Sequence, residues 1–196
     1  DAEGVPSSCT MNGKMATERR PVIEAALERG WEIVPHNYVQ TELLTDYMFD
    51  EDAEREVIRR TLDIYEQVCG KKAKGWLSSS LRTTLNTIDI LAEEGLIFTT
   101  DLLNDDQPYM VQTRSGKPMV SVSYTSEVND FSFLRQGLVA EGGLQMFKEQ
   151  FDWLYEESAS SGRFMNIGLH PHVIGQPYRI RALRDFIRYA KSHDDI

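Results

Sequence analysis

Three of the four histidines stand where short apolar runs give way to loops. His170 and His172 flank Pro171 in Gly168-Leu169-His170-Pro171-His172, and His36 follows Trp31-Glu32-Ile33-Val34-Pro35. Proline restricts the backbone of the residue before it, so His170 is held in a fixed place at the end of its run. An imidazole near its ordinary pKa serves as general acid or base at neutral pH. Two acidic groups fall in loop-like segments, Asp105-Asp106 and Glu127-x-Asn129-Asp130. Carboxylates in such places orient a histidine or activate water. Each residue also has a plain structural reading: a hydrogen-bonded histidine at a strand end, or a solvated acidic loop or Asx turn. Glu32 and Asp101 carry the same ambiguity. The sequence holds no glycine-rich phosphate loop and no Gly-x-Ser-x-Gly elbow, and nothing near Ser78-Ser79-Ser80 marks an activated nucleophile.

The elements that position these residues are read from apolar periodicity. Strands are expected at Val5 to Asn12, Trp31 to Val34, Lys74 to Leu77, Leu96 to Phe98, Met119 to Tyr124 and Phe164 to Leu169. Helices are expected at Pro21 to Arg29, Asp50 to Cys69, Leu85 to Ala92, Ala140 to Ser161 and Tyr178 to Ser192, with Gly30, Gly70 and Gly95 stopping the first three. Strand–helix alternation with short connections implies parallel strands joined by right-handed crossovers. The fold class is therefore α/β, with one domain over residues 1–196 in a barrel-like arrangement. In such barrels chemistry sits at the C-terminal ends of strands. That rule selects His36, 78–80, 101–106, 127–130 and 170–172.

Composition narrows the partners. Acidic residues outnumber basic ones 31 to 21 across 196 residues, a net charge of −10. This disfavours a nucleic-acid surface and a polybasic membrane surface. No apolar run approaches the roughly 18 residues of a membrane span. Two cysteines, Cys9 and Cys69, do not make a disulfide scaffold, and they suggest a reducing, cytoplasmic setting. The chain starts at Asp1 without a methionine and stops at Ile196 after His193-Asp194-Asp195. Both ends read as cuts through a larger fold. A barrel lacking a strand exposes an open edge, which predicts self-association into a homo-oligomer and little activity in this stretch alone.

Gly30-Trp31-Glu32-Ile33-Val34-Pro35-His36 resembles the Gly-His-Glu-Ile-x-x-His segment of the polysaccharide deacetylases, the NodB-homology or carbohydrate esterase family 4 proteins, and Leu169-His170-Pro171 resembles their Leu-His motif. Asn104-Asp105-Asp106-Gln107-Pro108-Tyr109, Tyr124-x-x-Glu127-x-Asn129-Asp130 and Leu169-His170-Pro171-His172-Val173-Ile174-Gly175-Gln176-Pro177 look like the allantoinase and cyclic imide hydrolase branch. The resemblance runs over nearly the whole chain. It implies a distorted (β/α) barrel, here without its first strand and its C-terminal end, and hydrolysis of an amide-type C–N bond. In metal-dependent members an Asp pair on the first strand and a His-x-x-x-His pair form the site. The second histidine of that pair falls at Gln40, the Asp pair is absent, and the family's arginine motif is replaced around Trp76-Leu77-Ser78. These departures favour the small-molecule branch and no cofactor over a bound zinc ion.

The resulting expectation is a hydrolase of carbon–nitrogen bonds other than peptide bonds, acting on a small linear or cyclic amide, imide or ureide. His170 and Glu127 are the expected catalytic residues, with His170 as acid for the leaving nitrogen. His36, Asp105, Asp106, Asn129 and His172 are expected to bind substrate. Two alternatives stand beside it: a metal-dependent polysaccharide N-deacetylase, and a barrel that binds a ligand without catalysis. If the strands are parallel, His36 and His170 should share one face of the domain.

Overall fold

The structure, a computed structural model, describes residues 3–5 and 7–196. The chain divides into two compact units. The first comprises Val5–Leu102 and Pro108–Val122, and the second Leu103–Gln107 and Ser123–Ile196 with Glu3 and Gly4.

In the first unit β1 (Ser8–Met11) lies parallel to β2 (Glu32–Pro35), with Cys9 opposite Ile33 and Met11 opposite Pro35. The expected strand from Val5 is shorter, and its position at Pro6 lies outside the described residues. Two helices make the crossover, α1 (Gly13–Glu18) and α2 (Arg20–Glu28). Sequence reading found only the second. Arg19, at φ −128°, breaks the helical run between them, so α1 is too short to show a full apolar period. Pro21 sits in the first turn of α2, where its missing N–H costs nothing.

A second ladder places β3 (Gly75–Trp76), β4 (Phe98–Thr99), β6 (Met119–Ser121) and β5 (Tyr109–Val111) side by side in that order. β3, β4 and β6 are parallel, whereas β5 runs antiparallel to β6. The uniform parallel alternation expected from the sequence therefore fails at β5. A short return through Gly116 lets 109–121 fold back as a hairpin, which needs no crossover helix. Leu77 N–H donates to Pro35 O at 3.2 Å, joining the ends of β2 and β3. The strands form two ladders and close no barrel among the described residues, in keeping with a distorted member of the class.

Helix α3 (Glu51–Cys69) begins where the Asp50 carboxylate accepts the Ala53 N–H at 3.0 Å. It ends at Gly70, whose φ of 68° lies in the left-handed region that suits glycine. Its buried face carries Val57, Ile58, Thr61 and Tyr65. Helix α4 (Thr87–Glu93) covers Trp76 and Met119 with Ile90 and Leu91. One charge is buried in this packing. Glu54 of α3 has no exposed surface, and its carboxylate accepts from the hydroxyls of Thr84, at 2.6 Å, and Thr87. Burial pushes its pKa up, while those two hydroxyls pull it down.

The second unit is mainly helical: α5 (Ser132–Arg135), α6 (Ala140–Ser158), α7 (Pro171–Ile174) and α8 (Pro177–Ala190). α6 and α8 pack through Phe147, Phe151 and Phe186, with the Phe147 and Phe186 rings 5.5 Å apart. The strand expected at Phe164 to Leu169 shrinks to one parallel bridge, Asn129 to Gly168. Only 128–130 pairs with it, through Gly168 N–H to Val128 O and Asp130 N–H to Gly168 O. His170 therefore caps the short helix α7 instead of ending a strand, and His172 lies within α7. Among the described residues no helix is long and apolar enough to cross a membrane.

Because Glu54 ties α3 to the start of α4, Glu54→Ala should lower unfolding stability by about 2–3 kcal/mol, by stranding two hydroxyls and opening a small void. Urea denaturation followed by circular dichroism measures this. A change under about 0.5 kcal/mol would mean the buried carboxylate is dispensable.

Candidate active site

The end of β2 delivers His36. Its backbone N–H donates to Met11 O at 2.9 Å, continuing the β1–β2 ladder by one residue. Its ring Nδ1 lies 2.7 Å from Leu77 O. A carbonyl only accepts, so Nδ1 carries the proton and the tautomer is set. Asn37 follows, fully buried at φ 52°. Its Oδ1 accepts Ser79 N–H at 3.2 Å, and its Nδ2 donates to Glu42 O at 2.7 Å. Asn12 Nδ2 and Ser79 Oγ both donate to His36 O. The loop after β2 and the loop after β3 are thus stitched together around His36.

Asp101 anchors the second of these loops from the end of β4. Its carboxylate accepts Ser78 N–H at 2.7 Å, Ser78 Oγ–H at 2.8 Å and Thr99 Oγ1–H at 3.2 Å. Ser78 Oγ in turn accepts Trp76 Nε1–H at 2.9 Å. Burial raises the Asp101 pKa to about 6 against the lowering effect of those three donors. The sequence had marked Asp101 only as ambiguous, and 78–80 as a poor nucleophile. Their role here is to fix the carbonyl of Leu77 that His36 needs.

In the second unit Asp130 is fully buried and organises His170. Oδ2 accepts His170 N–H at 2.6 Å and Ile174 N–H at 3.1 Å, and Oδ1 pairs with His170 Nδ1 at 2.7 Å. The His170 side chain keeps 31% of its surface exposed. Nδ1 is held on the buried side, which leaves Nε2 for proton exchange. The Phe131 ring meets His170 edge-on, with centroids 4.2 Å apart. Gly168 lets Asn129 and Tyr124 pack against the backbone that leads to His170, because a Cβ there would lie 2.2 Å from Asn129 Nδ2 and 2.6 Å from the Tyr124 hydroxyl. Asn129 commits both ends of its amide to the loop, Nδ2 to Tyr124 Oη at 2.8 Å and Oδ1 to Phe131 N–H at 3.0 Å.

The expected site residues therefore fall into three places. His36 belongs to the first unit. His170, Asn129 and His172 gather in the second unit, where the His170 and His172 rings are 6.0 Å apart. Asp105, Asp106 and Glu127 line a cavity in the second unit whose wall includes none of the histidines. The carboxylate bound to His170 is that of Asp130, three residues beyond Glu127. Its position in Glu127-x-Asn129-Asp130 was visible, but no periodicity marks which acid of a loop turns inward.

Of the His-x-x-x-His pair of metal-dependent deacetylases, His36 is present and Gln40 stands at the second position. Gln40 donates its Nε2–H to Ser80 Oγ at 3.3 Å, and His36 Nδ1 is held by Leu77 O, which is compatible with ligation through Nε2. Among the described residues no group of three or more His, Cys, Asp or Glu is arranged to hold a metal.

No family model matches the chain. Its relatives nonetheless agree on one fold. A Schizosaccharomyces pombe protein named "Putative polysaccharide deacetylase" is 27% identical over 215 aligned positions, covering 98% of this chain and 64% of the relative. A crystal structure of a "probable Polysaccharide deacetylase from Pseudomonas aeruginosa PAO1" superimposes with a TM-score of 0.89 at 34% identity, covering 98% of this chain and 64% of that one. The structure of the Puue allantoinase follows with a TM-score of 0.85 and 34% identity, over 95% and 62% of the two chains. The chain has the polysaccharide deacetylase (NodB-homology, carbohydrate esterase family 4) fold, and it is similar to both deacetylases and an allantoinase. It spans a little under two thirds of the length of these relatives.

The Asp101 carboxyl makes stability depend on pH. A folded pKa of about 6, above the unfolded value, means the folded state holds the proton more tightly. Its contribution is complete in acid and is lost as pH rises towards and through 6. The span is at most about 3 kcal/mol. Urea titrations between pH 4 and 7 should show this decline, and Asp101→Asn should flatten it. An unchanged slope in the variant would place the effect elsewhere.

Proposed function

We propose that protein carrying this sequence hydrolyses a carbon–nitrogen bond other than a peptide bond, in a small linear or cyclic amide, imide or ureide. The observation that carries this reading is the Asp130–His170 couple: a buried carboxylate on Nδ1, a fixed tautomer and a part-exposed ring. The similarity to an allantoinase and to deacetylases supports the same bond type.

In this reading water adds to the carbonyl carbon and yields a tetrahedral oxyanion. His170 Nε2 takes the proton that the attacking water releases. When the oxyanion collapses, the C–N bond breaks with its electron pair on nitrogen, and the same Nε2 returns the proton to that nitrogen. The Asp130 carboxylate positions the ring through Nδ1 and stabilises the imidazolium while it lasts. His36 is assigned to substrate contact, and His172 to the rim beside His170. Asn129 positions the loop that carries Asp130.

Turnover of cyclic imides, allantoin-like ureides and N-acetylated sugars by protein carrying this sequence tests the reading. On the best substrate His170→Ala should reduce kcat about 10²–10⁴-fold with little change in KM. Asp130→Asn should also lower kcat, because its amide can present an N–H to Nδ1 and favour the wrong tautomer. Its pH–rate profile should shift while its circular dichroism stays that of the parent. His172→Ala should do less than His170→Ala. Parental turnover by a folded His170→Ala variant would remove His170 from the chemistry.

A further inference from the structure

The second unit contains a cavity of about 300 Å³, within the size range of sites for small organic ligands. Asp105, Asp106 and Glu127 bring three carboxylates to its wall, and no Lys or Arg lines it. Two further wall atoms, Ser123 Oγ and Asn166 Oδ1, are buried with no hydrogen-bond partner in the protein. Unmet buried polar atoms are uncommon in folded proteins, and each calls for a partner. An amide oxygen accepts and does not donate, and carboxylates at neutral pH do the same. The cavity is thus rich in acceptors and negative in charge. Leu103, Leu154 and Phe164 give it apolar walls as well.

We infer that this cavity binds a small organic cation that carries several N–H donors on an apolar body, of the amidinium, guanidinium or alkylammonium class. The carboxylates meet the charge, Asn166 Oδ1 and Ser123 Oγ take N–H groups, and the apolar walls receive the rest. An anion would meet three like charges here. A neutral amide of the same shape would satisfy the buried acceptors but forgo the charge. The site stands on the cavity and its wall atoms, independently of the hydrolysis assigned to His170.

The test is direct binding to this chain, followed by calorimetry and by protein-observed NMR, with benzamidine as the probe. Benzamide is its neutral counterpart and benzoate its anionic one. Benzamidine should bind with a dissociation constant on the order of 1 mM. Benzamide should bind roughly tenfold more weakly, a factor set by the charge. Benzoate should not bind, and added salt should weaken the cation. The double variant Asp106→Asn, Glu127→Gln should lose roughly fivefold or more, since both side chains are exposed and the fold does not depend on them. Asn166→Ala should also weaken binding, whereas Glu141→Gln, on α6 and outside the cavity wall, should leave it unchanged. If Asn166→Ala does not fold, the acidic variants decide the matter alone. Equal binding of benzamidine and benzamide, unchanged binding in the acidic double variant, or no benzamidine binding at concentrations of about 10 mM would overturn the inference.

Discussion

A buried carboxylate must be met by donors or become neutral, and in the second unit that constraint falls on Asp130. Its side chain has no exposed surface, so water does not solvate the charge. Two backbone N–H groups, from His170 and Ile174, and the His170 ring take water's place. Meeting that need determines much around it. The chain at 168–174 must run beside 128–130, so Gly168 pairs with Asn129. It must then turn at once, so α7 starts at Pro171, and the amides of His170 before it and of Ile174 at its end face the carboxylate. Gly168 follows from the same demand, since any larger residue would push Asn129 and Tyr124 away.

The first unit solves the same problem with different parts. Asp101 is buried after β4 and draws in the N–H and hydroxyl of Ser78. This settles the loop after β3 and places Leu77 O against His36 Nδ1. In one unit a buried aspartate holds a histidine directly. In the other it does so through a backbone carbonyl one residue away. The two differ in charge at the ring. An ionised carboxylate on Nδ1 stabilises an imidazolium, whereas a carbonyl sets the tautomer with only a dipole. This difference supports the roles proposed above, with His170 carrying the proton and His36 contacting the substrate.

Long elements were legible in the sequence because their signals repeat. The run Val57, Ile58, Thr61, Tyr65 marks α3, and Asp50 and Gly70 mark its ends. The same holds for α6, with Leu144, Phe147, Phe151 and Leu154 at helical spacing, and for α8, with Ile180, Leu183 and Ile187. Two-residue strands such as β3 and β4 were found only by their place between helices. β5 was missed because three residues cannot show alternation against an antiparallel partner. For the site, His36 and His170 were visible as histidines after apolar runs. The roles of Asp101 and Asp130 were hidden. Each stands in a loop among other acids, and only the fold shows which acid lies against buried donors. Glu127 was the more conspicuous choice, yet its carboxylate lines a cavity while the next acid turns inward.

The functional reading rests on proton transfer by a histidine whose Nδ1 is held by a buried carboxylate. A metal site needs several ligands converging on one point with their lone pairs free. Here the position four residues after His36 is Gln40, which donates to a serine, while His36 Nδ1 is held by a carbonyl, an arrangement compatible with ligation through Nε2. The Asp130–His170 couple is arranged differently. Its carboxylate is already satisfied, its tautomer is already set, and its ring keeps a third of its surface open. The hydrolysis proposed above asks a single group to accept one proton and return it to a departing nitrogen, and this couple is the arrangement that would supply it.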